Sequence, residues 1–173
     1  MTAGAAGQRS NGMDDLDSYA SPKAGVSGTF EKIEQRNAGK PALDRQEEYT
    51  FQLVDRKLLK GAAGFNAGEK VDKILLTWEE CTTKNLVQNS FRIDNPVWND
   101  KQPDFQSPVI TFFDNIGAPL PRDPDAVKRQ GFWGPKFVLT MRIRARVTPI
   151  KHEGEPVPGK YKLELATVRQ FRK

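Results

Sequence analysis

The stretch Phe137-Val138-Leu139-Thr140-Met141-Arg142-Ile143-Arg144-Ala145-Arg146-Val147 constrains the fold more than any other part of the chain. In an extended strand, successive side chains point to opposite faces. Phe137, Leu139, Met141, Ile143, Ala145 and Val147 then form one apolar face, and Arg142, Arg144 and Arg146 fall on the other. One face suits a core; the other presents three guanidinium groups in a row. Same-face residues lie roughly 6.5–7 Å apart along a strand, close to the spacing of phosphates along an extended single strand of nucleic acid. The pattern equally suits the solvated outer face of a β-barrel, so other features must decide between the two.

Charge is distributed unevenly. From Val127 to Lys173 twelve Lys and Arg stand against three Asp and Glu, a net of +9. The first 126 residues carry fifteen against nineteen, a net of −4. A basic C-terminal third is the asymmetry expected of a surface that binds a polyanion.

Residue counts narrow the chemistry. With one cysteine, Cys81, the chain has no intramolecular disulfide and no cysteine-based metal cluster, which fits a reducing, cytoplasmic setting. Its single histidine, His152, sits in the turn-like Lys151-His152-Glu153-Gly154-Glu155-Pro156. General acid–base and nucleophilic catalysis lean on His, or on a Cys or Ser with a His nearby, and the acidic neighbours of Cys81 would raise its thiol pKa. Asp94, Asp100, Asp104, Asp114, Asp123 and Asp125 are scattered among turn residues, with no spacing that favours Mg²⁺. No enzyme activity, metal or cofactor is therefore expected. No run of 18 apolar residues is present, so no transmembrane helix is expected, and the N-terminus lacks the pattern of a signal peptide.

Residues 1–45 are rich in Gly, Ala, Ser, Asp and Asn and are expected to form a disordered or loosely ordered tail. Its acidic-hydrophobic peptide, Met13 to Tyr19, is a candidate for docking a protein partner. Order is expected over 46–173. Tyr49, Phe51 and Leu53 alternate with polar neighbours, and a glycine-rich loop at 60–70 leads to a second strand, Val71 to Glu80. That loop lacks the Gly-x4-Gly-Lys-Ser/Thr order of a phosphate-binding loop. A third strand runs from Leu86 to Asp94. The period then changes: Ser107-Pro108 offers a helix start, Val109, Phe112, Phe113 and Ile116 form a one-sided stripe, and Gly117 supplies the stop. A helix is expected over 108–116. The arginine strand and a last strand, Lys160 to Phe171, follow.

Three strands, one short helix and two more strands is the element order of the OB-fold, a five-stranded Greek-key barrel. The chain resembles small OB-fold single-stranded-DNA-binding-like proteins of phages and mobile elements. The likeness rests on the lead Gly39-Lys40-Pro41 into Tyr49 to Asp55, the helix Ser107 to Gly117, the entry Gly134-Pro135-Lys136-Phe137, and the turn Gly159-Lys160-Tyr161. It implies single-strand binding without catalysis, in a cytoplasm such as that of an infected host, with homo-oligomers a common form. Bacterial single-strand binders of this layout end in an acidic tail, whereas this chain ends in the basic Val168-Arg169-Gln170-Phe171-Arg172-Lys173.

Such binding needs a basic groove for phosphates and aromatic faces for bases. Candidate stacking residues are Trp98, Phe132 and Trp133, each in a Pro/Gly-rich loop, with Phe105 also considered. Trp78, Phe91, Phe112 and Phe113 are assigned to the core. Candidate phosphate contacts are Lys136, Arg142, Arg144, Arg146, Lys160, Lys162 and Arg169. The competing class is a structural or interaction protein, such as a virion or assembly component on the same barrel. Salt-dependent affinity for oligonucleotides separates the two.

Overall fold

The computed structural model describes residues 32–64, 66–123 and 137–172 and places two helices, seven strands and two 3₁₀ turns among them. A one-turn helix α1 (Ile33–Arg36) precedes three strands, β1 (Tyr49–Ala63), β2 (Lys70–Glu80) and β3 (Leu86–Arg92). Helix α2 (Pro108–Asn115) follows, then β4 (Arg142–Ala145), β5 (Val147–His152), β6 (Glu155–Leu163) and β7 (Arg169–Gln170). The structure is mainly β. One antiparallel sheet has the order β3-β2-β1-β4-β7, and β5 and β6 form a separate hairpin.

β1 organises the sheet because it pairs on both sides. Phe51 to Ala63 run against β2, and Tyr49 to Gln52 pair with Ala145 to Arg142 of β4. Between Leu53 and Asp55 the β1–β2 register shifts by one residue, a bulge at Val54 that bends the strand. Residues opposite one another share a face, so Phe51, Leu53 and Leu58 point inward with Glu80, Trp78 and Ile74. On β3, Val87 and Phe91 join them.

Helix α2 covers this inner face. Val109, Ile110, Phe112 and Phe113 are buried. Phe112 lies with ring centroids 5.0 Å from Phe91 and 6.2 Å from Trp78, and Phe113 lies 4.7 Å from Phe137. Gly117, at φ +78°, ends the helix as expected. Ser107 does not cap it. Its Oγ instead accepts the Val97 amide at 2.8 Å, and the Ser107 amide donates back to the Val97 carbonyl. Proline at the first helical position leaves one orphan donor fewer, so the hydroxyl is spent on closing the loop 97–107.

Three expectations are revised. The fourth strand begins at Arg142 rather than Phe137, because Val138 to Met141 form a turn with Thr140 at φ +78°. Leu139 therefore leaves the apolar face and is exposed, while Phe137 remains buried. The last strand is divided: β6 ends at Leu163, a 3₁₀ turn spans Leu165–Thr167, and only Arg169 and Gln170 rejoin the sheet. The single closed five-stranded barrel is replaced, among the described residues, by the open sheet and the hairpin.

The seam between them is filled by the lead. β6 lies beside β3 without a ladder between them. Asn37, only 2% exposed, donates from Nδ2 to the Leu86 carbonyl (2.9 Å) and the Gly159 carbonyl (2.7 Å), and its Oδ1 accepts the Leu86 amide at 2.7 Å. Asn85 Nδ2 reaches the Pro41 carbonyl, the Leu43 amide reaches the Tyr161 hydroxyl, and the Leu43 side chain enters the core. Within the stretch expected to be loose, Asn37 and Leu43 are thus packed; residues 1–31 lie outside the described residues.

Candidate nucleic-acid interface

The face of the sheet opposite the core carries the arginines. Arg142 stands opposite Gln52 and Arg144 opposite Thr50 on β1, and Arg144 stands opposite Arg169 on β7. The alternation runs on through Arg146 into β5, where Thr148 faces Lys162 of β6. Arg142, Arg144, Arg146, Lys162 and Arg169 therefore share one side of a nearly continuous extended segment. Lys160, two residues from Lys162 on β6, falls on the same side.

These charges are not equivalent. Arg144 donates from Nη1 to Thr50 Oγ1 at 2.8 Å and from Nη2 to Glu48 Oε1 at 3.1 Å. Arg169 grips the same carboxylate with two bonds, Nε to Oε2 at 3.0 Å and Nη2 to Oε1 at 2.6 Å. The Arg169 bond, with Arg144 adding to it against an opposing push from burial, holds the Glu48 carboxyl at about 2, below its ordinary 4.5. The same pairing raises the Arg169 pKa above its usual value. Arg142 reaches the Gln52 amide oxygen at 3.3 Å. Among the described residues Arg142, Arg146, Lys160 and Lys162 form no ion pair.

The aromatic candidates divide. Trp98 packs against the core and is half-buried. Phe105, in a 3₁₀ turn within the loop that Ser107 closes, is 70% exposed. Phe132, Trp133 and Lys136 lie outside the described residues. Trp78, Phe91, Phe112 and Phe113 are core, as expected. The Trp78 indole N–H is satisfied by Asn89 Oδ1 at 2.8 Å.

Glu48 and Arg56 escaped the sequence reading. Glu48 has the same parity as Thr50 and Gln52, so the alternation that placed the arginines could have placed it too. Arg56 could not be found that way, because the bulge at Val54 moves it onto the core face opposite Leu76. There it donates to the Phe137 carbonyl and lies over the Phe137 ring, 5.8 Å from the centroid. Burial lowers its pKa.

Among the described residues, no group of three or more His, Cys, Asp or Glu side chains is placed to hold a metal, and no helix is long and apolar enough to cross a membrane. His152 is exposed, with Glu153 its near neighbour at 3.9 Å. No family model, curated protein or solved structure matches the chain.

Proposed function

We propose that this chain is a non-catalytic single-stranded nucleic-acid-binding protein, with DNA the favoured strand, built on an OB-like path. The path is supported by β1 pairing with both β2 and β4, by α2 falling between β3 and β4, and by β6 lying beside β3. The observation that carries the function is the one-sided row Arg142, Arg144 and Arg146, extended by Lys162 and Lys160 and flanked by Arg169. Guanidinium groups at strand spacing follow a phosphate backbone without reading sequence. Trp98 and Phe105 are the described aromatics offered for stacking, together with Phe132 and Trp133.

The test is anisotropy titration of a labelled oligothymidylate of about 25 nucleotides at several salt concentrations. Binding should weaken as salt rises, with a log–log slope of about −0.7 per phosphate contacted. A double substitution, R142Q with R146Q, should flatten that slope by about 1.4. Absence of binding at roughly 20 mM salt, where electrostatic attraction is strongest, would refute the reading.

A second reading, an interaction or assembly protein, draws on the exposed Val97 and Phe105 in the 97–107 loop. It would gain if oligonucleotide binding failed while F105A changed the protein's association state.

A further inference from the structure

We infer that Arg144 and Arg169 form a phosphodiester-binding fork in which Glu48 sits as a built-in occupant that nucleic acid must displace. The inference deepens the reading above and rests on it. Two guanidinium groups directly opposite one another on adjacent strands repel. Here they converge on one anion: three N–H groups reach the two Glu48 oxygens at 2.6–3.1 Å. A carboxylate and a phosphodiester both present a pair of anionic oxygens, and the guanidinium fork suits either. The fork is also open to solvent. The Arg169 side chain is 59% exposed, that of Arg144 33% and that of Glu48 26%, so a strand can approach.

The seat is easy to vacate. Glu48 directly precedes β1, and Asp44 to Glu47 before it are exposed, so withdrawing its side chain breaks no core contact. The strands that carry the arginines are paired independently of it. Arg144 keeps Thr50 and its ladder position opposite that residue, and Arg169 keeps its place opposite Arg144. Exchange therefore swaps one anion for another on a standing frame. Its consequence is that Glu48 sets the affinity of the face from within: while seated it cancels one of the two charges and takes one nitrogen of Arg144 and two of Arg169.

E48Q tests this with the same labelled oligothymidylate. Gln offers one acceptor oxygen and no charge, so the fork should release it readily. Affinity at about 50 mM salt should rise on the order of tenfold, and the salt slope should steepen by about 0.7 as the fork, closed to phosphate while Glu48 is seated, takes one phosphodiester. Glu47, an exposed neighbour with no ion pair among the described residues, is the control for bulk charge. E47Q should raise affinity less than about threefold, leaving the slope unchanged. Added to R144Q/R169Q, E48Q should bring no such gain. If it brings the same gain in that background, or E47Q matches E48Q, only net charge matters and the fork is refuted. If the unsubstituted protein binds and E48Q binds equally or more weakly, Glu48 orders the arginines instead of blocking them, and the inference alone falls. If none of these proteins binds at about 20 mM salt, the nucleic-acid reading itself falls.

Discussion

Two polar networks in this protein use similar hydrogen bonds in opposite surroundings. Around Asn37 the groups are neutral, buried and joined across three distant parts of the chain: the lead, the β2–β3 turn and β6. Around Glu48 they are charged and solvent-facing, and they join the segment before β1 to the β4–β7 edge. Burial decides what each can do. A buried donor or acceptor that loses its partner costs its full desolvation, whereas an exposed ion pair trades its partner for water at little cost. The Asn37 network can only hold, and the Glu48 network can exchange.

The sharpest way to break this contrast is at Asn37. N37A removes three hydrogen bonds and leaves the Leu86 amide and the Gly159 carbonyl without the partner that Asn37 supplies. Urea denaturation should show a loss of about 2–4 kcal/mol. A loss below about 0.5 kcal/mol, the level of an ordinary surface substitution, would mean that the lead is not part of the folded unit.

Gly159 probes the same seam by shape. Its φ is +76°, and a Cβ there would lie 3.2 Å from the Glu34 carbonyl oxygen and 3.3 Å from the Asn37 Cβ. Backbone strain and crowding act together, so G159A should cost about 1–3 kcal/mol in the same assay. The comparison sharpens if N37A/G159A loses less than the sum of the single losses, since both act on one contact. Additive losses would separate the strand's own turn from the clamp.

Local patterns carried much of this architecture in the sequence. The stripe Val109, Phe112, Phe113 and Ile116 with Gly117 behind it located α2 to within a residue, and the alternation around Trp78 and Phe91 located the inner face of β2 and β3. The shared side of Arg142, Arg144 and Arg146 was legible for the same reason. Long-range pairing was not. Asn37 stands in an Ala/Gly-containing lead with no periodicity, and its partners lie 49 and 122 residues away. The turn at Thr140 was hidden because Phe137, Leu139 and Met141 keep the same parity as the apolar residues Ile143 to Val147; the bulged β1, through Leu53, bonds the turn at Thr140 and Met141 instead of continuing the ladder. The Glu48 seat needed the β4–β7 pairing, which two residues at the far end of the chain provide.

The mildest effect belongs to Glu48 and tests the exchangeable half of the comparison. Its carboxyl is held at about 2 in the folded protein, below the ordinary 4.5. A depressed carboxyl stabilises the fold fully above its unfolded value and loses that contribution as pH falls through the folded one. The stability gap between the unsubstituted protein and E48Q should therefore hold above about pH 5 and close toward pH 2. Water screens the three side chains, which keeps the gap within about 1 kcal/mol. Paired urea titrations across that range, at low salt, would resolve it. A gap that stays constant down to about pH 2 would show that Glu48 acts by shape rather than charge. A gap of about 3 kcal/mol or more, the size seen when a buried pair is broken, would show it to be as structural as Asn37. Either result would remove the physical distinction between a clamp that must stay closed and a seat that a phosphate can take.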